Sequence, residues 1–124
     1  MIAFERGDLD PGRLEGEDES DVIVLAAITA SELLHGVLRA RTAVARARRE
    51  RFVEDQFDIY RIIPFDLAIA RVHAKLAAEL SAAGTAVGAA DLEIAATAVW
   101  LDYRVATRDL RSFPKIRGLD VVKW

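Results

Sequence analysis

The sequence predicts an α/β fold built in layers around a mostly parallel sheet. Residues 22–28 (VIVLAAI) are apolar without alternation, which is typical of a strand covered on both faces. Short apolar segments of this kind alternate along the chain with longer segments of helical periodicity. Such alternation favours parallel strands joined by right-handed helical crossovers.

The bulk properties of the chain exclude several classes of protein. A length of 124 residues suits one domain, which we expect to span residues 1–124. The absence of cysteine excludes disulfides and thiolate metal sites, and it fits a cytoplasmic protein. No apolar run has the length of a membrane span, and the first residues lack the layout of a signal peptide, so no membrane association is expected.

The first third of the chain predicts one strand and one helix after a polar beginning. Residues 1–6 have an apolar start, residues 7–12 carry turn signals, and residues 15–21 form an acidic connection. The strand at residues 22–28 follows. A helix is predicted to begin near Thr29, because Thr29 and Glu32 form a capping-box pattern ahead of apolar residues at helical spacing.

The remaining elements continue the alternation. Residues 39–57 predict two helices, or one bent pair, with six arginines between Arg39 and Arg51. A short strand at residues 59–63 and a turn at 64–66 precede a helix that Gly84 ends. An alanine-rich helix at about 89–100 lies between this helix and two last strands at 103–106 and 120–122, with a short helical turn at 109–113 between those strands.

Three acids stand where this pattern would bring them to one edge of the sheet. Glu32 and Asp109 each follow a strand, and Asp91 lies in the first turn of a helix. Ligands gather outside the carboxyl ends of parallel strands, and Mg²⁺ prefers hard oxygen ligands. Each acid also has a structural alternative, because Glu32 could complete a capping box, Asp91 could complement a helix dipole, and Asp109 could cap the final turn.

Other polar residues carry weaker signals. Glu93 points away from Asp91 on a helix and is a reserve candidate only. His35 and His73 are expected to be half-buried packing residues. The arginines from Arg39 to Arg51 could follow a phosphate backbone, face an acidic partner, or simply form a solvated helix face. Arg108 and Arg111 flank Asp109 and are candidate contacts for a substrate phosphate beside a metal site.

Three spaced motifs resemble those of PIN-domain ribonucleases, and specifically the VapC-type toxins of bacterial toxin–antitoxin systems. The motifs are residues 28–36 (ITASELLHG), 88–97 (GAADLEIAAT) and 106–113 (ATRDLRSF). The resemblance implies a three-layer α/β/α fold and a metal-dependent endoribonuclease that hydrolyses RNA phosphodiester bonds. It further implies that Glu32, Asp91 and Asp109 bind Mg²⁺ or Mn²⁺ with Thr107 in support, and that a VapB-type antitoxin binds near residues 33–57. We expect a homodimer.

The beginning of the chain departs from the family pattern. The family starts with a central strand that ends in a catalytic aspartate, whereas residues 1–6 (MIAFER) resemble only the helical turn that follows it. We therefore expect this strand and its aspartate to lie upstream of residue 1, in a domain that is truncated at its amino end. A catalytically silent module that binds the antitoxin without cutting RNA is the alternative function.

Overall fold

Five parallel strands form one sheet in the computed structural model, which describes residues 2–4 (as backbone), 22–108 and 110–123. The strands are β1 (Ile2–Phe4), β2 (Ile23–Ala26), β3 (Arg61–Ile63), β4 (Arg104–Thr107) and β5 (Val121–Lys123). They are arranged in the order β3-β2-β1-β4-β5, and each neighbouring pair is parallel. The predicted α/β class and parallel sheet are confirmed.

The centre of the sheet corrects one prediction. Residues 2–4 were expected to belong to a helical turn beside an absent central strand, but β1 lies between β2 and β4, with Phe4 opposite both Leu25 and Ala106. A segment of three apolar residues is too short for its periodicity to distinguish a strand from a helix. Residues 2–4 form a strand because they pair with the edges of β2 and β4. The predicted turn and acidic connection at 7–21 lie outside the described residues. The expectation that the central strand lies upstream of residue 1 is wrong, because β1 occupies the central position, and the catalytic aspartate expected upstream stays a prediction.

Four helices follow, and they are α1 (Ala27–Leu38), α2 (Ala43–Ile59), α3 (Leu67–Ala82) and α4 (Ala89–Leu101). Thr42 caps α2 by accepting a hydrogen bond from the amide of Ala45 at 3.1 Å, and Asp66 caps α3 in the same way. Gly84, with φ +66°, lies just beyond α3, as predicted. Residues 110–112, inside the helical turn predicted at 109–113, form a turn that leads directly into a 3-10 helix at Phe113–Lys115.

The start of α1 differs from the prediction. The helix begins directly after β2, with Ala26 as its N-cap and no capping side chain. Thr29 is therefore inside the helix, where it is fully buried, and the predicted capping box is wrong. The apolar run at residues 22–28 spans both the strand and the first turn of the helix, so its composition did not mark the boundary between them.

The core lies on both faces of the sheet. Val24 and Ala26 of β2 pack with α3 and α4 in the larger hydrophobic cluster, whereas Leu25 packs on the opposite face with Leu33 of α1 and with Ala106. This division follows from the alternation of side chains along a strand. The sheet is thus the middle layer of three. Within the described residues, no helix is long and apolar enough to cross a membrane.

Candidate metal centre

The topology of the sheet brings the starts of two helices to one edge. Helix α1 leaves the carboxyl end of β2 directly. Helix α4 ends at Leu101, close to the amino end of β4, so its own amino end lies toward the carboxyl ends of the strands. Its 13 residues span about 20 Å, which is enough to cross the sheet. Both helix starts therefore lie at the edge where ligands gather in parallel sheets.

Asp91 is the acidic residue in the first turn of α4, and it is partly buried. The N-cap residue Gly88 has no side chain to satisfy the helix terminus. A Cβ atom placed on Gly88 would lie 3.7 Å from Oδ2 of Asp91, so the carboxylate is close to the beginning of the helix. A negative charge there complements the helix dipole. The structural role predicted as an alternative for Asp91 is compatible with a metal-binding role, because the carboxylate has two oxygens.

Glu32 lies in the sixth position of α1, one turn after the buried Thr29. The side chain of Glu32 is partly buried, and α1 contacts α4, so Glu32 and Asp91 are carried by two helices that touch. Since Thr29 is not the N-cap, Glu32 cannot complete a capping box with it. The capping-box alternative for Glu32 is therefore removed.

The third position at this edge is the end of β4. Thr107 is the last residue of this strand and is fully buried. Side chains alternate along a strand, so Thr107 shares a face with Val105, which packs in the cluster that contains α4. Asp109 comes two positions later and lies outside the described residues. Arg108 and Arg111, on either side of it, are exposed.

The donors at this edge suit a hard cation. The acids Glu32 and Asp91 and the hydroxyl of Thr107 offer oxygen atoms only, which is the chemistry that Mg²⁺ and Mn²⁺ prefer. Within residues 22–108 and 110–123, no group of three histidine, aspartate or glutamate side chains is close enough to hold a metal ion. The predicted three-acid ligand set includes Asp109, and it stays a prediction.

Several other sequence-based candidates are now placed. His73 is partly buried and packs edge-on against Phe65, with ring centroids 5.6 Å apart, as expected for a packing residue. His35 is exposed, so the same prediction is wrong for it. The reserve candidate Glu93 is partly buried, and its backbone carbonyl accepts a 2.9 Å hydrogen bond from the hydroxyl of Thr97.

Thr29 was missed as a candidate for the edge of the sheet. It is fully buried in the first turn of α1, and a buried hydroxyl is costly unless it makes a hydrogen bond. The sequence did contain a signal, because Thr29 is the first polar residue after an apolar run. We assigned that signal to an N-cap, since threonine is favoured there.

The arginine-rich segment has a partly structural role. Nη1 of Arg49 donates to the carbonyl of Gly36 at 3.0 Å, and Nη2 of Arg46 donates to the carbonyl of Leu38 at 3.4 Å. These carbonyls belong to the last turn of α1, where a positive charge complements the negative end of the helix dipole. Two of the six arginines thus tie α2 to the end of α1, and all six are exposed.

A groove of about 280 Å³ lies between α1 and α2. Leu34 and Leu38, which are 42% and 67% exposed, form part of its apolar lining together with the buried Val37 and Val53. Glu50 and Glu54 add two carboxylates to the same groove. An apolar groove with acidic residues fits a helix that carries apolar and basic side chains.

Comparison with known proteins identifies the family. Residues 1–119 match the PIN domain. The chain is 30% identical to "Ribonuclease VapC" of Rickettsia bellii over 122 residues, which cover 98% of this chain and 89% of that protein. A member of the VapBC family of toxin-antitoxin systems, VapBC-5 from Mycobacterium tuberculosis, is 33% identical with a TM-score of 0.69, over 82% of this chain and 79% of that one. DNA-bound VapBC from Salmonella typhimurium is 25% identical with a TM-score of 0.81, over 100% and 99%. The chain therefore belongs to the PIN-domain family and is related to the VapC ribonucleases of VapBC toxin–antitoxin systems.

Proposed function

We propose that this protein is a metal-dependent endoribonuclease toxin that hydrolyses RNA phosphodiester bonds. Glu32, Asp91 and Asp109 would bind Mg²⁺ or Mn²⁺, and Thr107 would support the site. The proposed assembly is a toxin homodimer bound to a VapB-type antitoxin, with RNA as the substrate. The observation that carries the proposal is the placement of Glu32 and Asp91 on touching helices at the carboxyl edge of a parallel sheet.

The chemistry of the described residues supports a nuclease. A bound Mg²⁺ ion supplies positive charge beside the reacting phosphate and lowers the pKa of a bound water. Glu32 and Asp91 would hold such an ion through carboxylate oxygens, and their partial burial limits competition from bulk water. The exposed guanidinium groups of Arg108 and Arg111 could bind phosphate oxygens in a bidentate manner. Thr107, which would support the site, is fully buried at the end of β4.

The groove between α1 and α2 is the proposed binding site for the antitoxin. It falls within residues 33–57, the segment expected to bind an antitoxin. Leu34 and Leu38 are large apolar residues that are exposed to solvent, and an antitoxin helix would cover them. Basic residues on that helix would face Glu50 and Glu54.

RNA cleavage by the purified full-length chain tests the enzymatic part. We expect cleavage of structured RNA with Mg²⁺ or Mn²⁺, none in EDTA, and background activity for Asp91→Asn. Asp102→Asn is the matched control, because Asp102 lies at the other end of α4 and asparagine tolerates its left-handed backbone conformation, φ 58°. Cleavage by Asp91→Asn at the wild-type rate would refute the assignment. A chain that binds antitoxin but never cuts RNA would instead be the catalytically silent module.

Antitoxin capture tests the groove separately. Leu38→Glu places a charge in the apolar lining and should weaken binding at least tenfold. Ile59→Glu is the control, because Ile59 is 66% exposed, close to the 67% of Leu38, and does not line the groove. Equal binding by Leu38→Glu and wild type, measured by titration calorimetry, would exclude the groove as the antitoxin site without affecting the nuclease assignment.

A further inference from the structure

Gly36 is a glycine inside α1, and neither its backbone conformation nor its packing requires a glycine. Its backbone is helical, so the position needs no left-handed conformation. Beyond its immediate neighbours in the helix, a Cβ atom placed on Gly36 would meet no atom of the described residues within 4 Å. Glycine is among the least favourable residues in a helix interior, and it commonly marks a point where a ligand approaches the backbone closely. The opening at Gly36 is therefore suited to a bound molecule.

Gly36 belongs to a patch on α1 that begins at the candidate metal centre. Residues three and four apart are neighbours on a helix, so Glu32 adjoins His35 and Gly36, and Arg39 adjoins the same two residues on the next turn. Arg39 keeps the helical geometry, because its amide donates to the carbonyl of His35 at 3.0 Å. We call these four residues the glycine flank. It extends about 10 Å from Glu32 to Arg39 at the rise of an α-helix.

The end of the glycine flank away from Glu32 is positively charged. His35 and Arg39 are exposed, and in the part of the chain that the structure describes their side chains make no hydrogen bond or ion pair. Nη1 of Arg49 donates to the carbonyl of Gly36 at 3.0 Å. A second guanidinium therefore lies beside the opening and holds its backbone in place.

The direction of helical side chains brings Arg39 back toward the opening. Side chains on a helix lean toward its amino end, so each residue covers the surface of the preceding turn. Arg39 thus extends past Gly36 in the direction of Glu32, yet none of its atoms comes within 4 Å of the position that a Cβ on Gly36 would take. An open space therefore lies between a cationic side chain and the candidate metal centre.

We propose that the glycine flank carries the RNA strand as it leaves the metal centre. The sugar–phosphate backbone crosses α1 at Gly36, where no side chain stands in its path. Arg39 binds a phosphate near the one that is cut, through charge-assisted hydrogen bonds from its guanidinium. The strand is thereby held on both sides of Gly36, by the metal centre and by Arg39.

The two sides of α1 differ in charge, and this difference favours RNA on the glycine flank. Residues two apart on a helix are separated by about 200° around its axis, so Leu34 and Leu38 lie on the side of α1 away from Gly36. The groove on that side also contains Glu50 and Glu54, which would repel phosphate. An anionic strand and an antitoxin with basic side chains thus have separate sites on one helix.

This RNA path rests on the proposed function, because the strand is placed relative to a metal centre that cuts it. Separate measurements distinguish the two. RNA binding in EDTA measures the flank without cleavage, and cleavage by the wild-type chain measures the nuclease without any change to the flank. Equal RNA binding by wild type and flank variants would reject the path and leave the nuclease assignment in place.

Fluorescence anisotropy with a labelled pool of random-sequence RNA, on the full-length chain in EDTA, tests the path. Gly36→Leu should weaken binding at least tenfold, because the new side chain fills the opening. The same variant should have a higher Tm than wild type, since leucine is a better helix former than glycine, so unfolding would not explain the loss. Ala47→Leu places the same side chain at an exposed position on α2 and should bind RNA as wild type does.

Arg39→Gln separates a phosphate contact from a general effect of charge. It should weaken binding at least about tenfold, as expected for the loss of a hydrogen bond to a charged group. It should also lower the slope of log Kd against log salt concentration by about 0.7, the value for one phosphate contact on a single strand. Arg48→Gln removes the same charge from an exposed position on α2 and should leave both quantities unchanged.

Cleavage and antitoxin binding complete the test. With Mg²⁺, Arg39→Gln should raise KM for structured RNA and leave kcat close to the wild-type value, because Arg39 binds the strand away from the bond that is cut. Gly36→Leu and Arg39→Gln should both bind the antitoxin as wild type does. A wild type that does not bind RNA, an unchanged salt slope in Arg39→Gln, or unchanged RNA binding by Gly36→Leu would each overturn the path. Variants that lose the antitoxin but keep RNA would overturn it as well, by assigning the flank to the antitoxin.

Discussion

Asparagine substitutions at the two ends of α4 can separate the structural and metal-binding roles of Asp91. Asp91 lies in the first turn of this helix and Asp102 is its C-cap residue. A carboxylate is favourable near the amino end of a helix and unfavourable near the carboxyl end, by about 0.3–1 kcal/mol in each case. Without metal, Asp91→Asn should therefore lower the free energy of unfolding, and Asp102→Asn should raise it.

The change in Tm expected for each variant depends on the unfolding entropy, which scales with the length of the chain. A domain of 124 residues has an unfolding entropy of about 0.26 kcal/mol/K, so 0.3–1 kcal/mol corresponds to a change in Tm of about 1–4 °C. Bound Mg²⁺ at ten times its dissociation constant would stabilise the wild-type protein by about 1.4 kcal/mol, or roughly 5 °C. Asp102→Asn should keep this increase, and Asp91→Asn should lose it.

Thermal unfolding in EDTA and in Mg²⁺, followed by circular dichroism, measures both effects on the same samples. The magnesium response is the deciding quantity, because repulsion between neighbouring acids can offset the dipole effect in EDTA. If Asp91→Asn keeps the full increase in Tm with Mg²⁺, Asp91 acts only on the helix terminus. The reasoning that places it in a metal site would then be refuted.

Three further substitutions test the packing and the helix ends that hold the candidate site, each by thermal or denaturant unfolding. Phe113→Ala removes a fully buried ring from the main cluster and should cost about 3–5 kcal/mol; a loss below 1 kcal/mol would contradict that burial. Asp66→Ala removes the 3.0 Å hydrogen bond from the amide of Ile69 and should cost about 1 kcal/mol, whereas Asp66→Ser should retain most of it. Gly84→Ala should destabilise by about 1–2 kcal/mol because φ is +66°, whereas Gly36→Ala, inside α1 with open space around it, should be neutral or stabilising.

Local patterns in the sequence predicted most of the secondary structure. The helix predicted at about 89–100 is observed at Ala89–Leu101, and its small side chains do allow close packing, because the residues from Ile94 to Ala98 are buried. Gly84 and the turn predicted at residues 64–66 marked the two ends of α3 correctly. These features depend on residues near one another in the chain, so periodicity and capping chemistry are sufficient to predict them.

The boundary between β2 and α1 shows where local patterns fail. An apolar run that is buried on every side looks the same whether it is a strand or the first turn of a helix. Thr29 was therefore taken as a cap when it is a buried residue of α1. The structural role of Arg49 could not be predicted either, because its partner Gly36 is 13 residues away and lies on another helix.

The sequence alone was sufficient to predict an α/β protein with acids after its strands, because strand and helix periods and helix-end residues are local properties. Tertiary structure was needed for the order of the strands, the central position of β1 and the contact between the helices that carry Glu32 and Asp91. Each of these depends on pairing between distant segments, and such pairing is selected by the packing of the whole core rather than by the composition of any one segment.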